Sequence, residues 1–115
     1  MPYIHMQTSV KLSDAQVVDL RKAVYDLIPL IPGKTYDVTM IHISDNQIIT
    51  LKDVDAPAMF IDLRLMGPAP FADKQNFVKA FTQRMNELTG VDEHHVYYNI
   101  IEMEEWGAHG NYNHI

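Results

Sequence analysis

Residues 2–8, PYIHMQT, set Ile4 and Met6 against His5 and Gln7 in alternation. A period of two predicts a strand with one covered face, almost at the head of the chain. The period then changes. Val17, Leu20, Val24, Leu27 and Ile28 recur at helical spacing, and Ser13 with Gln16 makes a capping box at the start of that run. The predicted helix closes near Pro29 to Gly33. Residues 36–44, YDVTMIHIS, are rich in β-branched and apolar side chains and predict a second strand.

The order then repeats. AMFIDLRLM at 58–66 reads as a strand broken by Gly67, Pro68 and Pro70. Phe77, Val78, Phe81, Met85 and Leu88 mark a helix closed by Gly90, and HVYYNIIEM at 95–103 reads as the last strand. Two β-α-β units result, 2–45 and 58–103, alike in pattern and not in residue identity. Residues 46–57 join them, with a short extra strand expected at Gln47–Leu51. Crossover helices joining parallel strands lie on one sheet face. The fold class expected is therefore α+β, a four-stranded mixed sheet with two helices on one face, formed by residues 1–115 as a single domain. Ile61, Leu63 and Leu65 are expected toward the helices, which leaves Phe60, Asp62, Arg64 and Met66 on the other side. An open face carrying Phe60 and Met66 calls for a second copy of the chain, so a homo-oligomer is expected.

Composition narrows the chemistry. Nine Lys and Arg against fifteen Asp and Glu give a net charge of −6, which argues against nucleic acid or an anionic membrane as partner. With no cysteine, disulfides, thiolate catalysis and Cys-ligated zinc are excluded. No basic, apolar leader opens the sequence, and no run approaches the roughly 18 apolar residues of a membrane span, so a cytoplasmic location is expected. The six histidines show no HxH or HExxH spacing, and no Gly-x-Ser-x-Gly elbow occurs. Neither a metal site nor a serine nucleophile is expected.

Several short matches at consistent spacing resemble the tautomerase superfamily, in its group like macrophage migration inhibitory factor and the bacterial relatives. They are Met1-Pro2 opening a strand, Gly33-Lys34 before YDVTMIHIS, Met66-Gly67 ending a strand, Val96-Tyr97-Tyr98-Asn99 in the last strand, and Trp106-Gly107 near the end. The resemblance covers nearly the whole chain. It implies a homotrimer with active sites at subunit interfaces around the N-terminal prolines, and no metal or cofactor. Asp37 and Thr39 depart from the more apolar cytokine members, and the cysteine motif of those members is absent, so a cytokine role is not implied.

On this reading Met1 is removed and Pro2 becomes a secondary amine able to take a proton from carbon beside a carbonyl. An α-amino group titrates near about 7.7–8.0, and apolar burial by Ile4 and Met66 or a cation such as Lys34 favours its neutral form. Pro2 is thus the candidate general base. Lys34 is the candidate for steadying a carboxylate or enolate oxygen. Tyr97 and Asn99, two apart in one strand, project from one face and flank the substrate, or else satisfy interface hydrogen bonds. Met66 supplies an apolar wall or a backbone donor. Trp106, the only tryptophan, closes the pocket or covers a neighbouring subunit. Arg64 binds an acidic substrate or pairs with Asp62, the ion pair being favoured. The activity expected is keto-enol tautomerisation of a small α-keto acid or enol carboxylate. The alternatives are a hydratase, dehalogenase or decarboxylase using protonated Pro2, disfavoured because GPAPFAD at 67–73 lacks arginine, and a non-catalytic trimeric binding module.

Overall fold

The computed structural model describes all residues, 1–115. Strand β1 (Pro2–Thr8) buries Pro2, Ile4, Met6 and Thr8 and leaves the residues between them half-buried, as the alternation predicts. Helix α1 (Asp14–Leu27) begins at the capping box: the Ser13 hydroxyl accepts from the Gln16 amide at 3.1 Å, and the Gln16 side chain accepts from the Ser13 amide at 2.9 Å. Its Leu20, Ala23 and Val24 are buried, and a 3-10 turn over Ile28–Leu30 carries the chain on to Gly33.

The strand expected over 36–44 is shorter. Tyr36–Val38 form a 3-10 turn, and β2 covers only Met40–Ser44. Hydroxyls divert the backbone here, since the Thr39 hydroxyl donates to the Thr35 carbonyl at 2.6 Å and the Thr35 hydroxyl bonds the Asp37 carboxylate. Tyr36 and Val38 stay exposed and form no buried strand: Val38 lines the cleft described below, and the Tyr36 ring lies 5.1 Å from that of Tyr25. The extra strand expected at Gln47–Leu51 is also absent. A lone bridge between Leu51 and Asp53 is all that forms, and Ile48 is fully exposed, with nothing to pack against.

Strand β3 (Met59–Met66) runs antiparallel to β1, with Pro2 opposite Leu65 and His5 opposite Asp62. Helix α2 (Phe71–Thr89) ends at Gly90, whose φ of 77° is the left-handed conformation and whose amide donates to the Asn86 carbonyl at 2.8 Å. Strand β4 (Val96–Met103) is parallel to β3, and β2 is parallel to β1, giving a mixed sheet in the order β2-β1-β3-β4. Ile61, Leu63 and Leu65 are buried beneath the helices with Phe77, Phe81 and Met85. Phe60, Asp62, Arg64 and Met66 face the other way, as expected from the pleat. No helix is long and apolar enough to cross a membrane.

The tail holds a hairpin that the sequence reading did not anticipate. Strands β5 (Glu105–Ala108) and β6 (Asn111–His114) pair antiparallel around His109 and Gly110, both at positive φ. Two consecutive positive φ values define the two-residue turn that matches strand twist, and glycine takes the second position without strain.

Candidate active site

The sheet order brings the start of β1 beside the end of β3, so the head of the chain meets Met66. The Met66 amide donates to the Met1 carbonyl at 3.2 Å, and Lys34 Nζ donates to the Met66 carbonyl at 2.8 Å. Gly33, at φ 78°, turns the chain so that Lys34 leaves the loop toward this corner. Pro2, Lys34 and Met66 are thereby brought together, as the resemblance implies. The amino group heading the chain, carried here by Met1, is pulled below its ordinary range. Burial is the main cause, and the charge and hydrogen bond of Lys34 add to it. Met66 contributes through its backbone and does not line the cleft beside it.

That cleft, of about 560 Å³, opens where Pro2 and Tyr3 of β1 face the tail hairpin. Val38, Met40 and Met103 give it apolar walls, and Trp106, Ala108 and Tyr112 of the hairpin close one side. Arg64 lines it as well. The Arg64 guanidinium is 3.3 Å from Asp62 Oδ2, and its carbon lies 5.6 Å from the centre of the Tyr3 ring. Half of that side chain is exposed, so Arg64 is both the ion-pair partner of Asp62 and a cation at the cleft. Asp37 and Glu105 supply negative charge at the same cleft.

Tyr97 and Asn99 are not part of this arrangement within one chain. Tyr97 lies opposite Phe60 and Asn99 opposite Asp62, whereas Pro2 is level with Leu65 and Glu102. Five residues of strand at about 3.3 Å each put Tyr97 roughly 16 Å from the Pro2 end of the sheet. Both side chains are exposed on the open face. Tyr98, between them, points to the helices. Its hydroxyl is 2.7 Å from the Thr82 hydroxyl, and burial pushes its phenol up to about 12, which makes it a structural residue.

The residues that sequence reasoning missed are those of the cleft walls: Tyr3, Val38, Met40, Met103 and Tyr112. Each stands in a different segment, and no local period marks them. The His109-Gly110 pair was the one available signal for the hairpin.

No protein-family model matches the chain, and no curated protein matches its sequence. Solved structures do match in fold. Macrophage migration inhibitory factor 2 of Leishmania major superposes with a TM-score of 0.90 at 20% identity, over 98% of this chain and 97% of that one. The homologue from Prochlorococcus marinus gives 0.83 at 17%, over 96% and 97%. A protein called Pt0534, solved after inactivation by 2-oxo-3-pentynoate, gives 0.82 at 13%, over 94% and 93%. This chain thus has the fold of macrophage migration inhibitory factor and its homologues, as the resemblance in its sequence implied.

Proposed function

We propose that the chain is a cofactor-independent keto-enol tautomerase of small α-keto acids or enol carboxylates, with Pro2 as general base once Met1 is removed. The observation that carries this reading is the corner at which buried Pro2, heading β1, lies close to Lys34 and an apolar cleft. Burial and Lys34 lower the pKa of the Met1 amino group one residue ahead of it, and the same surroundings would act on a Pro2 amine. A neutral secondary amine there takes the proton from the carbon beside the keto group and returns it to the enolate oxygen or carbon. Lys34 steadies the oxygen as charge develops. Arg64 offers a second cation for a substrate carboxylate. Trp106 covers the ring or chain of the substrate, and Met66 holds Lys34 in place. The fold neighbour inactivated by 2-oxo-3-pentynoate lends support, since that reagent is itself an α-keto acid.

The same reading makes the working unit a homotrimer. Tyr97 and Asn99 lie too far along the open face to flank a substrate at their own Pro2, and a second copy is the simplest source of such a pair. The unpaired edges of β2 and β4 and the only half-buried Phe60 support the same assembly. An acid role for Pro2, as in hydration or decarboxylation, is disfavoured because burial and the neighbouring Lys34, which lower the pKa of the amino group at Met1, would favour a neutral amine at Pro2 as well.

Lys34→Ala tests the electrostatic part. Lys34 lowers the pKa of the amino group at Met1 and is proposed to act likewise on Pro2, so its removal is expected to move the base-active limb of the pH-rate profile to higher pH, with a higher KM for the acidic substrate. Initial rates on phenylpyruvate enol across neutral pH measure both. An unchanged profile with unchanged KM removes Lys34 from the mechanism.

A further inference from the structure

The open sheet face carries a histidine pair that the proposed chemistry does not use. His5 of β1 and His42 of β2 are register partners on adjacent parallel strands. Their rings stack with centroids 3.8 Å apart and planes within 2°. His5 Nε2 is 2.8 Å from the Ser44 hydroxyl, and His42 Nδ1 is 2.9 Å from the Tyr3 hydroxyl. From the geometry of this face we infer that the His5–His42 stack is an acid-sensitive element of self-association, stable while both rings are neutral and opposing assembly when both are charged. The inference rests on the proposed homotrimer, in which copies of the chain cover this face.

Three observations lead there. Parallel stacking at van der Waals distance suits two neutral rings and sets two imidazolium charges face to face. The hydroxyls of Tyr3 and Ser44 can turn to accept from a protonated ring, so their hydrogen bonds survive acid, while the register of β1 and β2 keeps the two side chains at neighbouring positions of one face, where charging both sets like charges close together. The third observation concerns the charges around the pair. On β3, Asp62 lies opposite His5 and favours its charged form, but Asp62 Oδ2 is already taken by Arg64, itself a cation over the Tyr3 ring. Asp62 Oδ1 is buried with no partner, so this face is left incomplete in a single chain. Burial, followed by the charge of His42, outweighs Asp62 and leaves His5 harder to protonate than an ordinary histidine. A second copy laid on the face adds burial and strengthens that bias.

The sign follows from linkage. Where added burial in the assembly depresses His5 further than in the separate chain, its contribution to assembly is complete while the ring is neutral in both states and is lost as the pH falls into the range where the separate chain takes up the proton. Light scattering on the full chain at about pH 8 and about pH 5 reads the effect on either side of the histidine range. The expected result is a trimer at the higher pH and a fall toward the single-chain mass at the lower. The double variant His5→Gln, His42→Gln is expected to stay trimeric at both. A wild-type trimer unchanged at about pH 5, or a double variant that dissociates like wild type, overturns the inference and leaves the trimer standing. A single chain at about pH 8 removes the trimer and the inference with it. Should the double variant not fold, ring-proton NMR of the wild type decides the matter. His5 is expected to take up its proton together with the change in mass, and protonation of His5 with no accompanying change in mass contradicts the inference.

Discussion

Replacing Pro2 by alanine is expected to lower kcat on an enol acid by about 10² to 10⁴, the usual worth of a positioned general base. Alanine keeps an amino group, but a primary one with free rotation about its N–Cα bond, whereas the pyrrolidine ring fixes the nitrogen against β3 opposite Leu65. The position is buried and the smaller side chain leaves a gap beside Leu65, so the fold of the variant needs checking by circular dichroism before its rate is interpreted. KM is expected to change less than kcat, because the groups proposed to hold the substrate, Lys34 and Arg64, remain. Steady-state kinetics near neutral pH measure the split. Wild-type turnover in the variant removes the amine from the mechanism.

The largest effect on stability is expected from Phe77→Ala. Phe77 is completely buried, and its ring lies 5.1 Å from that of Phe81, between α2 and the sheet face lined by Ile61, Leu63 and Leu65. Truncation removes the ring's transfer free energy and leaves a cavity that neighbours on a paired sheet cannot close. The cost expected is about 3–5 kcal/mol. Urea unfolding measures it as a lower midpoint with little change in slope. A loss under about 1 kcal/mol would mean that the helix collapses into the space, contrary to the packing described.

How much of this could be read from the sequence depended on whether a feature was local. β1, β3 and β4 are legible because each alternates between a covered and an open face, and α1 because Ser13 and Gln16 announce its first turn. Gly90 marks the end of α2 in the same way. The turn at Tyr36–Val38 misled because Val38 and Met40 look like strand core, while the Thr35 and Thr39 hydroxyls redirect the backbone. The tail hairpin is four residues a side with no fully buried position, so burial imposes no period on its sequence. Of the site, the Pro2, Lys34 and Met66 corner followed from the resemblance, and Trp106 and Arg64 do reach the cleft. The division of Tyr97 and Asn99 from that corner did not follow. Both share the open face with Arg64, and only the register, with Asn99 at Asp62 and Pro2 at Leu65, reveals the distance between them.

The central claim is that an unblocked Pro2 nitrogen is the base. Its most direct test is a comparison of two preparations on the same enol substrate, each verified by intact mass: one beginning at Pro2, the other retaining a residue ahead of it. An amide nitrogen has no basic lone pair, so the chain beginning at Pro2 is expected to be active and the blocked chain to lose turnover to the level of the uncatalysed reaction. Equal turnover from the two would contradict the account.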